Sequence, residues 1–191
     1  GWNETDAVTK EAFERVLQSL GAAGVEVVGK SDDPRIAAFE DAMERDIDTA
    51  LDIVAYEMQW PFQDYVARHG DAIGERIRGL MLRANQITPA EYEAMLEKRR
   101  AIRAQGMELA RAVGADAYVT LAASGPAPEG LAHSGSRSFI VPGSWLGFPA
   151  FALPMMEVHG LPLGLQLLGL DRQDGRLCAQ ANWVMREFLG D

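Results

Sequence analysis

The chain has one cysteine, three lysines and three histidines in 191 residues. A lone Cys178 excludes an intrachain disulfide and any C-x-x-C zinc or redox pair. It sits in an apolar helical pattern beside Leu177 and Ala181, and reads as a small core residue rather than a nucleophile. Such cysteine usage suits a reducing, cytoplasmic setting. His69, His133 and His159 show no H-x-x-x-H spacing, so neither a metal site nor a cofactor is expected. No apolar run reaches the roughly 18 residues of a membrane-spanning helix. Basic residues are short as well: the formal net charge is −10. An acidic chain repels phosphates, which makes nucleic acid and anionic membrane poor partners. Lys98-Arg99-Arg100 and Arg103 form the one basic cluster, and Glu91, Glu93 and Glu97 lie within a turn or two of it. That mixture predicts a solvated helix face. The sequence opens Gly-Trp-Asn, and Glu4 and Asp6 stand where a signal peptide is basic. The expectation is a piece of a longer protein, or one from which a segment has been removed.

What is present is a helical first part and a mixed second part. Asn3 is a candidate cap for a helix to about residue 23, with Ala7, Phe13, Val16, Leu17 and Leu20 on its apolar stripe. Residues 24–29, Gly-Val-Glu-Val-Val-Gly, alternate as a short strand does. Asp33-Pro34 is a helix start, and near Trp60 Pro61 either stops that helix or starts the next turn. Two short helices, divided at His69-Gly70, are expected over 62–84. Thr88-Pro-Ala-Glu91 is a capping box that opens a helix to about Gly114. After Asp116 a strand is predicted over 117–121, then a Gly-, Pro- and Ser-rich loop to about Ser138. Apolar runs near 150–156 and 162–169 follow, joined at His159-Gly160. A final helix capped by Asp171 runs to about Leu189. No repeat and no long linker divides the chain, so 1–191 reads as a single region, mainly helical over 1–115 and mixed α/β over 116–191.

The wording of residues 115–189 is distinctive. It runs Asp116-Ala-Tyr-Val-Thr, Ala127-Pro128, Gly135, then Leu146-Gly-Phe-Pro-Ala150 with Pro154. Next comes Gly160-Leu-Pro-Leu-Gly-Leu-Gln166-Leu-Leu-Gly169, and a helix from Asp171 with Glu187 near its end. In this order the segments resemble the C-terminal end of an amidase-signature family hydrolase. Residues 4–29 resemble the helix-strand unit that precedes the family's variable helical part. The resemblance implies an α/β class: the C-terminal part of an amidase-signature α/β/α fold, with a mixed sheet flanked by helices. Helices 33–113 are the section least similar to the family. Three departures bear on the pocket. Leu121-Ala-Ala stands where many members have a proline, Phe148 replaces a leucine, and Trp145 stands where many have asparagine.

The family's chemistry uses a lysine and two serines. The nucleophilic serine passes its proton through the second serine to a neutral lysine, and glycine N–H groups hold the oxyanion. The family keeps these groups in its N-terminal half. This chain has no Gly-Gly-Ser-Ser-like segment, and Lys10, Lys30 and Lys98 lack the desolvated context such a base needs. No catalytic residue is therefore assigned here. His133 with Ser134, Ser136 and Ser138, and Asp116 upstream, form no recognised triad spacing and lack a G-x-S-x-G elbow. By resemblance, the glycine loop and the segment after it line the substrate pocket. Ser136, Phe139, Trp145 and Phe148 are the candidate pocket residues, with a core role the alternative for the three aromatics. The implied partners are a small-molecule amide in the intact enzyme, and the N-terminal half of the amidase or a second copy. A stand-alone, non-catalytic binding or scaffolding module derived from the same fold is the competing expectation.

Overall fold

Asp6, not Asn3, starts the first helix. In the computed structural model, which describes residues 1–190, Asn3 lies in a single 3-10 turn over Trp2–Glu4. The Asp6 carboxylate accepts the Thr9 N–H at 2.6 Å and caps α1, Ala7–Ala22. Asp is among the best caps because its side chain satisfies one of the orphan N–H groups of the first turn. Asp33 does the same for α2, Pro34–His69, by accepting the Arg35 N–H at 2.9 Å. Thr88 and Glu91 form the expected capping box of α4, Pro89–Val113: Glu91 accepts the Thr88 N–H at 2.8 Å and the Thr88 hydroxyl accepts the Glu91 N–H at 3.3 Å. Between them lies α3, Glu75–Ala84.

The second part contains β1, Tyr118–Leu121, α5, Val141–Leu146, β2, Ala150–Val158, β3, Leu161–Leu168, and α6, Asp174–Leu189. The three strands form one sheet in the order β1-β3-β2, antiparallel throughout. The α/β class holds, but the sheet is not mixed within this chain. β2 and β3 are joined by the two-residue turn His159-Gly160, and so tight a link can only return the chain antiparallel. Both turn residues have positive φ, 53° and 74°, as a type I′ hairpin requires. Pro154 falls where one extra residue enters β2 between Leu153 and Met156. A bulge tolerates a residue that has no N–H to give.

Four further expectations are corrected. Residues 25–29 adopt no strand, because no strand of this chain pairs with them. Pro61 does not stop α2, which continues to His69. The carbonyl that Pro61 leaves unpaired belongs to Glu57, an exposed residue open to water. Asp171 does not stand at the cap position: α6 begins at Asp174, with Gln173 before it as N-cap. Cys178 is exposed rather than buried. The inward face of α6 is Leu177, Ala181 and Val184, at helical spacing, and Cys178 falls beside that stripe.

Two compact units make up the chain. Residues 1–39 with 105–191 form the first, and residues 40–104 the second. The core of the first unit lies on one face of the sheet. Leu163, Leu165 and Leu167 alternate along β3 and pack with Ala12, Val16 and Leu20 of α1 and with Leu177, Ala181 and Val184 of α6. Leu121 and Leu165 are fully enclosed. Burying each such side chain stabilises the fold by about 1.5–3 kcal/mol. The second unit is helical. Ala55, Met81 and Ala84 form its centre, flanked by Met58, Phe62, Val66 and Leu80. Gln59 donates to the Ala84 carbonyl at 2.6 Å at the end of α3. Lys98 and Arg45 hold the buried Asp46 carboxylate, Lys98 at 2.9 Å. No helix among the described residues is long and apolar enough to cross a membrane.

Candidate functional site

Period-two alternation sends Gly164, Gln166 and Leu168 to the face of β3 opposite the core leucines. Cross-strand register places Thr120 and Ala152 beside Gln166, and Tyr118 and Ala150 beside Leu168. This face is covered by the 122–140 loop and α5. Gly164 lets the loop come close. A side-chain carbon at 164 would meet the Ala122 Cβ at 2.9 Å, while the Ala122 N–H donates to the Gly164 carbonyl at 2.9 Å. Gly143 does the same for α5, where a Cβ would meet Leu168 at 2.8 Å.

Gln166 is the polar centre of this face. It is 5% exposed. Its side-chain amide donates to the Thr120 hydroxyl at 3.0 Å and to the Phe139 carbonyl at 2.8 Å. A buried amide is tolerated only with such partners. The sequence carried a signal for it, since Gln166 is the lone polar residue in Leu161–Leu168.

The four candidate pocket residues fall into two environments. Ser136 is half-buried, and its hydroxyl lies 2.8 Å from that of Ser138. The Ser138 hydroxyl donates to the Glu4 carboxylate at 3.2 Å. The hydrogen bond from Ser136, with that from Ser138, holds the Glu4 carboxyl below its ordinary pKa. A carboxylate so stabilised is a weaker base than a free one. Phe139 packs against the core cluster. Trp145 is 5% exposed, within α5, and its indole N–H finds no acceptor among the described residues. Phe148 is 6% exposed and lies parallel to Tyr118, ring centres 6.3 Å apart; Tyr118 in turn stacks on Phe39 at 5.7 Å. Burial raises the Tyr118 hydroxyl to a pKa of about 12, and it donates to the Gly106 carbonyl.

The residues weighed as a triad do not converge. The His133 Nδ1 accepts the Gly135 N–H at 3.2 Å. Asp116 pairs with Arg176, and Ser136 turns to Ser138. Among the described residues, His159 does meet an aspartate, 3.0 Å from Asp6. Both are about half exposed. Two surface clefts lie elsewhere. One, about 490 Å³, is lined by Trp60, Pro61, Tyr65 and His69 in the second unit. The other, about 320 Å³, lies between Arg15 and Ser19 of α1 and Met155 to Glu157 of β2.

No family model and no curated protein matches the sequence. Solved structures do match. An amidase is 25% identical, with a TM-score of 0.79, and the alignment covers 97% of this chain and 43% of that one. An inhibitor-bound vestigial protein complex, reported for the evolutionary origins of an s-triazine catabolic enzyme, is 22% identical over 98% of this chain and 41% of that one, TM-score 0.75. A bacterial aryl acylamidase of the amidase signature family is 13% identical over 83% of this chain and 40% of that one, TM-score 0.52. This chain spans about two fifths of the length of each.

Proposed function

We propose that this chain, which has the fold of part of an amidase-signature enzyme, forms the C-terminal portion of a hydrolase that converts a small carboxamide to a carboxylate and ammonia or an amine. One observation carries the reading: nearly the whole chain superposes on an amidase, yet it accounts for less than half of that enzyme. The order of segments over 115–189 adds that the shared part is the C-terminal one.

In the intact enzyme a serine attacks the amide carbon, and its proton passes through a second serine to a neutral lysine. The amine leaves with a proton, and water then cleaves the acyl-serine ester. Neither Lys98 nor Lys10 suits that task. The Lys98 ammonium is bonded to Asp46, and the Lys10 ammonium lies 5.3 Å over the Trp2 ring. This chain supplies a wall instead. Gln166 holds the loop end at Phe139, and Gly164 and Gly143 let the loop and α5 settle onto the sheet. Ser136, Phe139, Trp145 and Phe148 then contribute to one side of a substrate pocket. On this reading the chain alone is catalytically inert and works in the cytoplasm. The reading frame around these residues tests it. A lysine followed by a Gly- and Ser-rich segment ahead of Gly1 supports an amidase half. A start codon near Gly1 supports a stand-alone module instead.

A further inference from the structure

Glu4, Ser136 and Ser138 meet where the 122–140 loop reaches the turn before α1. The Ser138 hydroxyl donates to the two Glu4 oxygens, at 3.3 and 3.2 Å. The Ser136 hydroxyl lies 2.8 Å from that of Ser138 and accepts the Ser138 N–H at 3.2 Å. Both sides are anchored. Trp2, in the same 3-10 turn as Glu4, packs edge-on against Phe13 of α1, ring centres 6.0 Å apart. The residue after Ser138 is Phe139, whose carbonyl is held by Gln166.

Counting protons fixes the polarity of Ser136. The Glu4 carboxyl is held below its ordinary pKa, first by Ser136 and then by Ser138. At neutral pH it is a carboxylate and can only accept. The Ser138 proton therefore goes to Glu4. The Ser136 proton has Ser138 Oγ and Glu4 as its acceptors, and both lie inside the cluster. A hydroxyl has one proton and two lone pairs. The proton of Ser136 is directed inward and the Ser138 N–H takes one lone pair. The other lone pair meets no donor among the described residues, on a half-buried side chain. We infer that Glu4 is a positioning residue: through Ser138 it holds Ser136 as a hydrogen-bond acceptor, so that this wall takes an N–H of the amide substrate rather than its carbonyl oxygen. The inference rests on the amidase reading above and narrows its substrate class. Primary and secondary carboxamides carry such an N–H, whereas esters and fully N-substituted amides do not.

Two probes that differ only in N–H against O test it. N-methylbenzamide and methyl benzoate are titrated into the isotope-labelled 191-residue chain and read by NMR at the backbone amides of 136–139. N-methylbenzamide is expected to bind more tightly, by roughly twofold to tenfold, as one hydrogen bond allows. Ser136→Ala should abolish that preference. Glu4→Gln should do so too, because its amide can donate to Ser138 and release the Ser136 proton to turn outward. A merely structural Glu4 would change both affinities and leave their ratio. An unchanged far-UV circular dichroism spectrum shows that each variant still folds, and if Glu4→Gln does not fold, Ser136→Ala decides. Equal affinity for the two probes, or no binding of N-methylbenzamide, overturns the inference. So does a preference that survives Ser136→Ala. A covalent serine-hydrolase probe, applied to the protein isolated under native conditions from its own cells, separates the two ideas. Labelling without the amide preference leaves the amidase reading standing and removes the role of Glu4, whereas absence of labelling removes the amidase reading itself.

Discussion

The Gln166 side-chain amide donates to the Phe139 carbonyl at 2.8 Å and so ties the end of a long irregular loop to the central strand of the sheet. The same nitrogen reaches Thr120 on the neighbouring strand. One buried amide thereby sets the start of α5 and, with it, the place of Trp145. Gln166→Leu removes both bonds and leaves the Phe139 carbonyl without its donor, a loss of about 1–3 kcal/mol. Urea unfolding should show it, with faster amide exchange at 137–141 than in β3. Equal stability and unchanged exchange in Gln166→Leu would mean that the loop is held by other contacts.

Gly164 and Ala122 form a second, steric link between sheet and loop. Gly164→Ala places a methyl 2.9 Å from the Ala122 Cβ, and overpacking of this kind costs about 1–3 kcal/mol. Ala122→Gly should restore part of that loss. A double-mutant cycle is expected to give a coupling of at least about 0.5 kcal/mol. Additive single effects would show that the two sites relax independently.

Much of this fold was legible in the sequence because its signals are local. Thr88-Pro-Ala-Glu91 specifies a helix start by reciprocal hydrogen bonds within four residues, and His159-Gly160 specifies a hairpin by its φ angles. What was missed depends on distant partners. Pro61 reads as a stop, yet the helix passes through it because the lost bond falls on an exposed turn. Asn3 reads as the cap, yet it is Asp6 that accepts the Thr9 N–H and starts α1. Residues 24–29 read as a strand, but pairing needs a neighbour that the described residues do not supply. Of the site, the four pocket candidates were named from resemblance. Gln166, which orders the loop around them, escaped because a single polar residue in an apolar run has no periodicity.

The α1 cap predicts an acid limb of stability. The Asp6 carboxyl is lowered to a pKa of about 2, first by the Thr9 N–H and then by His159. Its folded value is thus below its unfolded one. The stabilisation it gives is complete above the usual carboxylate range and is lost as pH falls through that range towards 2. Thermal melts from pH 6 to pH 2 should show the melting temperature falling in this window. Asp6→Asn keeps a cap that does not titrate, so its melting temperature should fall less. Parallel curves for the two proteins would assign the acid limb to other carboxylates.

Trp145 and Phe148 should behave differently. Phe148 belongs to a stack with Tyr118, and Phe148→Ala is expected to cost about 3–5 kcal/mol. Trp145→Phe keeps most of the ring and deletes an enclosed N–H that has no acceptor among the described residues, so its stability should stay within about 0.5 kcal/mol or rise. On the amidase reading proposed above, the same change should alter KM for the amide. A loss above about 1 kcal/mol in the isolated chain would show that the N–H is bonded after all.

The central claim is that this chain carries a pocket wall and that the nucleophile stands on another part of the fold. A covalent serine-hydrolase probe, applied to the purified 191-residue chain and read by intact-mass spectrometry, addresses it directly. The account predicts no stoichiometric adduct at any serine, including Ser134, Ser136 and Ser138. A single adduct per chain at Ser136, abolished by Ser136→Ala without loss of folding, would contradict it.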